Sequence, residues 1–297
     1  MTQKQYKPHF EHLKNKWQDK QRSLNKTLWE KHHESLTWLH HTSKQFMAGS
    51  VASLIMMSHP APSNIIAQSA LPVDPQNTQK EEKVTRTKDQ LIQELSPILP
   101  HEVAPLSPEQ ELAISERLST YFQVRVLPIL QGKRLNRSYG YIGAEQHLMR
   151  YPGDTMDTHF QTADDAVTAA SGMAPGRGAW GYFTDSPSTM SQRDIEREKY
   201  YIATQTFLSP GWNENVHDYY AFFKYRKMLV VNPENGKAMV VVIGDAGPAE
   251  WTGKHLGGSP EVMRYLERKD GGQKGPVIYM FLDDPEDKIP LGPIQVQ

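Results

Sequence analysis

The stretch KMLVVNPENGKAMVVVIGDAGPAEW, residues 227–251, decides how the rest of the chain is read. Two apolar runs rich in β-branched residues flank Asn232-Pro233-Glu234-Asn235-Gly236. Such runs suit a pleated, buried surface, and Asn-Gly tolerates the positive φ values that tight turns need. The reading is a β-hairpin over 227–245. The second run ends in Asp245 and passes at once into Ala-Gly-Pro, so a carboxylate stands where strand gives way to turn. That carboxylate is either an acid on the rim of a β structure or a turn residue bonding backbone N–H groups.

Outward from the hairpin, short β-type runs recur from about residue 134: RSYGYIG, GAWGYF and, after the hairpin, PVIYMFL. Between them, 190–226 reads as helical at first (QRDIEREKYYIATQTFL) and aromatic-rich later (HDYYAFFKYRK). Many strands with few helices argue for a sandwich or barrel-like core. Upstream, a helix is expected over 80–96. Another begins at SPEQELAISERLSTYF, where Ser107 is an N-cap, Pro108 fits the first helical position and Gln110 closes a capping box. Four segments result: a basic amphipathic helical segment (1–45), an apolar signal- or anchor-like segment with linker (46–72), a helical region (73–133) and a mainly β domain (134–297) with a helical insertion at 185–226.

The charge balance, 33 Lys/Arg against 34 Asp/Glu in 297 residues, argues against a dedicated nucleic-acid binder. Charge is unevenly spread, with nine Lys/Arg against four Asp/Glu in residues 1–45. The absence of cysteine excludes disulfides, thiol nucleophiles and Cys-ligated zinc. Residues 46–72 carry no Asp, Glu, Lys or Arg, and the apolar centre Phe46–Met57 has the length of a signal-peptide core rather than of a membrane span. The expectation is an exported or membrane-anchored envelope protein, with membrane contact through the N-terminal region; the alternative is an Ala/Ser-rich helix and proline linker in a cytoplasmic protein.

VVNPENGKAMVVVIGDAGP followed by GGSPEVMRYL resembles the second half of a double-psi β-barrel of the expansin and rare-lipoprotein-A type. That family shows an NxxNGK hairpin, a strand ending in Asp-x-Gly-Pro and a Ser-Pro-initiated helix. SGMAPGRGAWGYF (171–183) resembles its Gly-Ala-x-Gly-Tyr stretch through Gly178, Ala179, Gly181 and Tyr182. The resemblance covers roughly 134–283. It implies a six-stranded barrel, preceded here by α-helical segments, that binds, loosens or cleaves cell-wall polysaccharide such as peptidoglycan. Asp245 falls on the Asp-x-Gly-Pro position. Related barrel hydrolases carry a second acid in a His-Phe-Asp motif, where this chain has His255-Leu256-Gly257. Hydrolysis in its usual form needs two carboxylates, so the candidates are Asp245 with Glu250, and the alternatives are a lytic or purely binding role. Trp180, Tyr182, Trp212 and Trp251 lie in Gly- or Pro-containing loops, where flat rings can stack on sugars; with His255 they make up the expected substrate-binding set. Ordinary barrel packing is the competing reading for each ring.

AEQHLMRYPGDTMDTHF (144–160) concentrates His147, Asp154, Asp157 and His159. His147 and Asp154 have the separation found in the zinc motif of D-Ala-D-Ala carboxypeptidases, so a zinc peptidase using His147, Asp154 and His255 can be drawn. The rest of that motif departs: Glu145 stands where it has Ser, and no Glu-x-x-His follows. The favoured reading is that RYPGD is a turn, with no metal and no cofactor. The chain has no P-loop, no HExxH and no GxSxG. The function expected is therefore a cell-wall glycan binder, with or without cleavage at Asp245. The alternatives are the zinc peptidase and a non-catalytic envelope scaffold.

Overall fold

The computed structural model describes residues 86–160, 162, 165–268 and 275–297. The readings of 1–45 as an amphipathic helix and of 46–72 as a signal or anchor lie outside these residues. Among the described residues no helix is long and apolar enough to cross a membrane.

The hairpin is the core of the fold. β4 (Lys227–Val231) pairs antiparallel with β5 (Ala238–Ala246), Met228 opposite Val241 and Val231 opposite Ala238. Its turn closes through Asn232 N–H to the Lys237 carbonyl and Gly236 N–H to the Asn232 carbonyl, both 2.9 Å. Gly236 supplies the positive φ, +66°, that the turn demands. From this hairpin the sheet runs through β3 (Tyr201–Thr204), β6 (Leu256–Gly258), β2 (Tyr139–Ala144) and β7 (Gly275–Leu282), and β7 pairs back onto β4. The result is a closed six-stranded barrel, parallel at β2–β6 and β3–β5 and antiparallel elsewhere, compatible with a double-psi topology. Two short strands extend it: β1 (Val126–Leu127) on β7 and β8 (Gly292–Ile294) on β5.

The strands read as continuous apolar runs because both their faces are covered. Met228, Val230, Val241, Ile243, Val277, Tyr279 and Phe281 fill the barrel interior. Their alternate neighbours Leu229, Val231, Val240, Ile278, Met280 and Leu282 point outward into a second core. That core is closed by α1 (Lys88–Leu95) through Leu91 and Leu95, and by α2 (Pro108–Phe122) through Ile114, Leu118 and Phe122. Both helices start with the capping box their sequences spell, Thr87 with Gln90 and Ser107 with Gln110, and a short α3 (Met156–His159) follows β2.

Two local readings change. Residues 200–208, read as the end of a helix, contain β3: α4 (Gln192–Lys199) stops at Lys199, and Tyr201–Thr204 become a fully buried strand between β5 and β6. The β-branched and aromatic residues there gain more from pairing on both sides than helix propensity offers. The span 185–226 therefore supplies a barrel strand as well as α4 and α5 (Val216–Phe223). GAWGYF, read as a strand, is a turn pinned by a Gly178–Gly181 bridge.

If both faces of β4 are packed, Met228→Ala (interior) and Leu229→Ala (helix side) should each lower stability by about 2–5 kcal/mol in urea unfolding. A sheet with one solvated face would show the loss at only one of the two positions.

Candidate functional site

Asp245 lies at the end of β5, opposite Ala203 of β3, and Ala203 in turn lies opposite Gly257 of β6. Gly257 faces Gly143 of β2. Asp245, Ala203, Gly257 and Gly143 thus form one row across four strands. The Asp245 Oδ1 atom accepts from the Ala179 N–H (2.6 Å) and the Ala246 N–H (2.8 Å). Oδ2 accepts no hydrogen bond among the described residues. Burial pushes the Asp245 carboxyl up; the two N–H donors pull it back, the charge of Glu145 pushes it further, and the net shift is upward. The Gly-Ala-Trp-Gly turn is held over it from behind: Trp180 Nε1 donates to the Ile243 carbonyl (3.0 Å), and the Tyr220 hydroxyl donates to the Ala179 carbonyl (3.0 Å).

The space over Gly257 is filled. A Cβ placed on Gly257 would lie 2.1 Å from Oε1 of Glu145. Glu145 directly follows β2, its backbone N–H bonds the Gly258 carbonyl (2.8 Å), and its carboxylate carries Lys254 as counter-ion (2.9 Å). The Lys254 stem lies flat on Gly143, where a Cβ would come within 2.2 Å of it. Glycine at 143 and 257 therefore makes a bed on which Lys254 and Glu145 lie. Tyr201, its hydroxyl bonded to the Gln146 carbonyl, is buried among the acids. Burial first, and then the charges of Glu198, Glu145, Asp245 and Glu261, push its phenol well above the usual range.

The expected substrate-binding residues take different places. Trp180 is buried in the barrel core, and Trp212 packs on Phe223 and Tyr219. Tyr182 is half-buried, with the Arg177 guanidinium 5.9 Å from its ring. Trp251 is 79% exposed and Glu250 is exposed beside it in a short 3-10 turn. The His255 Nδ1 atom accepts from the Tyr141 N–H (2.9 Å), and its ring stacks on Tyr141.

A second cluster is wholly buried. His147, Arg150, Asp154, His159 and Glu198 are each at most 7% exposed. Glu198, on α4, meets His147 Nδ1 at 3.3 Å and His159 Nε2 at 2.7 Å, and accepts from the Leu148 N–H (3.0 Å). Asp154 accepts from the Arg150 N–H (2.9 Å) and Nε (3.0 Å) and lies 3.2 Å from His159 Nδ1. The RYPGD turn exists, closed by Asp154 N–H to the Tyr151 carbonyl (3.1 Å). Among the described residues, the side chains close enough to share a metal ion are His147, His159 and Glu198. Asp154 and His255, named with His147 as a ligand set, are not in that group. Burial pulls the His159 imidazolium down, but its hydrogen bonds to Asp154 and Glu198 outweigh it and carry it up to about 9.

Sequence reasoning missed Glu145 and Glu198. The signal for Glu145 was Gly257, which becomes meaningful only once β2 and β6 are paired. Glu198 sat in a run of charged helix residues with nothing to mark it.

Compared with protein-family models, with curated proteins and with solved structures, the chain has no match in any of the three.

Two outcomes follow from this geometry. Gly257→Ala should cost about 1 kcal/mol or more in the natural background and little in a Glu145→Ala background, a coupling that a double-mutant cycle reads directly. Asp245 binds its proton more tightly folded than unfolded. Its contribution to stability therefore rises as pH falls from neutral through its raised folded pKa toward 3.8. Asp245→Asn keeps an oxygen for both N–H donors, so it should be at least as stable as the natural protein at pH 7 and lack that increment in urea midpoints measured between pH 7 and 4.

Proposed function

We propose that the rim of the barrel binds a cell-wall glycan strand and cleaves it, with Asp245 as the proton donor and Glu145 as the second carboxylate. One observation carries this reading: a desolvated acid with an unengaged oxygen stands in the same strand row as Gly257, over which the Glu145 carboxylate lies. Ala203 separates Asp245 from Gly257, so their Cα atoms are about two strand spacings apart, roughly 9.6 Å. Inverting hydrolysis uses one carboxyl to protonate a glycosidic oxygen while another, across the sugar, activates water. A raised pKa suits the acid, because the proton must still be present near neutral pH. Lys254 holds the Glu145 carboxylate in place over the row at 2.9 Å.

The expansin and rare-lipoprotein-A likeness of the hairpin, the Asp-x-Gly-Pro turn and the Ser259-Pro260 helix start supports a polysaccharide as the polymer. In that comparison Glu145, reaching in from the neighbouring strand, takes over the work of the acid replaced by Gly257. Glu250, exposed in its turn, is not needed for the chemistry. Trp251 is the exposed aromatic surface available to a sugar ring, and Tyr182 adds a half-buried edge. An envelope location is part of the proposal, supported by the charge-free segment 46–72 behind a basic stretch.

Purified full chain incubated with insoluble peptidoglycan should release soluble fragments. Asp245→Asn should abolish release while the protein still sediments with the polymer, and Glu145→Gln should lower the rate by 10²-fold or more. Trp251→Ala should weaken sedimentation and leave the rate at saturating polymer close to natural. Full cleavage by Asp245→Asn would refute the assignment; binding by every protein without release by any would leave a binding module.

A further inference from the structure

The buried cluster beside the barrel turns two imidazoles onto one carboxylate, with ligand atoms of His147, His159 and Glu198 all within 4.8 Å of one another. The Nε2 atom of His147 lies 3.3 Å from the Thr168 carbonyl, which can only accept, so Nε2 carries a hydrogen. Its Nδ1 atom faces Glu198 Oε1 at 3.3 Å, an oxygen that also accepts from the Leu148 N–H. Across the site, His159 Nδ1 faces Asp154, a carboxylate held in place by Arg150, so its hydrogen belongs on Nδ1. Its Nε2 atom points at Glu198 Oε2, 2.7 Å away, and the two imidazole centroids are 4.7 Å apart. Each histidine thus donates outward to a carbonyl or carboxylate and turns its other nitrogen inward to the same Glu198. That is how metal-bound histidines are oriented by the groups behind them.

We infer that His147 Nδ1, His159 Nε2 and the Glu198 carboxylate hold a zinc ion, with the Thr168 carbonyl and Asp154 orienting the two rings. Two imidazoles and a carboxylate suit zinc better than calcium or magnesium, which take oxygen ligands. Behind Thr168 stands Glu261, outside the ligand group: its Oε1 accepts from Thr168 Oγ1 (3.0 Å), and its other oxygen is buried with no hydrogen-bond partner among the described residues. The ligands are closed off from solvent, so the ion is structural: it ties the segment after β2 and the 3-10 turn at 165–171 to α4, and offers a polymer no open position. The site differs from the His147, Asp154 and His255 set in both composition and role, and departs from the expectation that no metal is bound. It stands independently of the glycan reading.

The test uses the full chain, stripped with a chelator and reloaded with zinc or cobalt. The expected result is one zinc per chain, a melting temperature that falls on chelation and returns with zinc, and the visible bands of four-coordinate cobalt. His159→Ala and Glu198→Ala should lose the metal. Asp154→Asn should weaken zinc affinity by roughly 10- to 100-fold, as loss of an orienting partner does. His255→Ala should keep the full equivalent. If the ligand variants do not fold, the cobalt spectrum and zinc titration of the natural chain still decide. Sub-stoichiometric zinc after reloading, with identical melting curves with and without it, would overturn the site. Loss of metal in His255→Ala would overturn this ligand set.

Discussion

Closure of the sheet between β4 and β7 is the constraint on which the rest of the molecule depends. β7 bonds β2 through residues 275–278, β4 through 278–281 and β1 through 281–282. One strand of eight residues therefore serves three neighbours, and the ring has no open edge between them. A closed ring of six is narrow, so its inward side chains fill it: Tyr279 and Phe281 from β7 meet Met228 and Val230 from β4. The outward side chains are left without water on the side where α1 and α2 lie, and those helices supply the second core. Neither core exists without the ring. With the interior packed solid, polar chemistry is left to strand ends and the turns above them.

That placement explains the electrostatics of the rim. Asp245 leaves β5 at the point where the apolar run ends, so its backbone is fixed by pairing with β3 while its side chain meets the Gly178–Trp180 turn. Two N–H donors on one oxygen would by themselves lower the pKa of a carboxyl, yet burial and the neighbouring Glu145 charge win. Glycine decides the other half of the rim. A side chain at 257 or 143 would lift Glu145 and Lys254 off the sheet, and the carboxylate would no longer lie in the row of Asp245. Glycine on β6 thus gives way to the side chain that follows β2.

Much of this was legible in the sequence. The hairpin at 227–245, its Asn-Gly turn, the capping boxes at Thr87 and Ser107 and the helix start at Ser259-Pro260 are all local, and local chemistry specifies them. β3 was not legible, because Tyr201–Thr204 follow a helix directly and become a strand only through partners far away in sequence, Val242 and Gly258 among them. Trp180 and Trp212 looked like exposed platforms because their neighbours are Gly and Pro; packing from α5 and Ile243 buries or half-buries them. Asp245 stood out because a charge at the end of an apolar run is conspicuous. Glu198 did not, since one glutamate among the polar residues of α4 carries no mark of burial until α4 is laid against His147 and His159.

The two clusters are mechanically one. The segment that starts at Glu145 passes directly into His147, whose backbone is stitched to the 171–183 stretch by His147 N–H to the Gly172 carbonyl (3.0 Å) and Ala174 N–H to the His147 carbonyl (2.8 Å). Three residues further on, the Arg150 carbonyl accepts from both Phe183 and Thr184 N–H groups, at 2.9 Å each. The turn carrying Ala179, whose N–H reaches Asp245, is therefore clamped at both ends by the same short run of chain. Holding such a turn in one conformation costs about 1–2 kcal/mol of backbone entropy per residue, which the single bond to Asp245 cannot offset. The buried network of His147, Asp154, His159 and Glu198 supplies the anchorage: it fixes residues 147–159 against α4, and α4 leads straight into β3, the strand between Asp245 and Gly257. Both carboxylates of the rim thus take their positions from a cluster that does not itself reach the surface. Loosening that cluster would move Glu145 and the Ala179 N–H together, while the barrel beneath stayed closed.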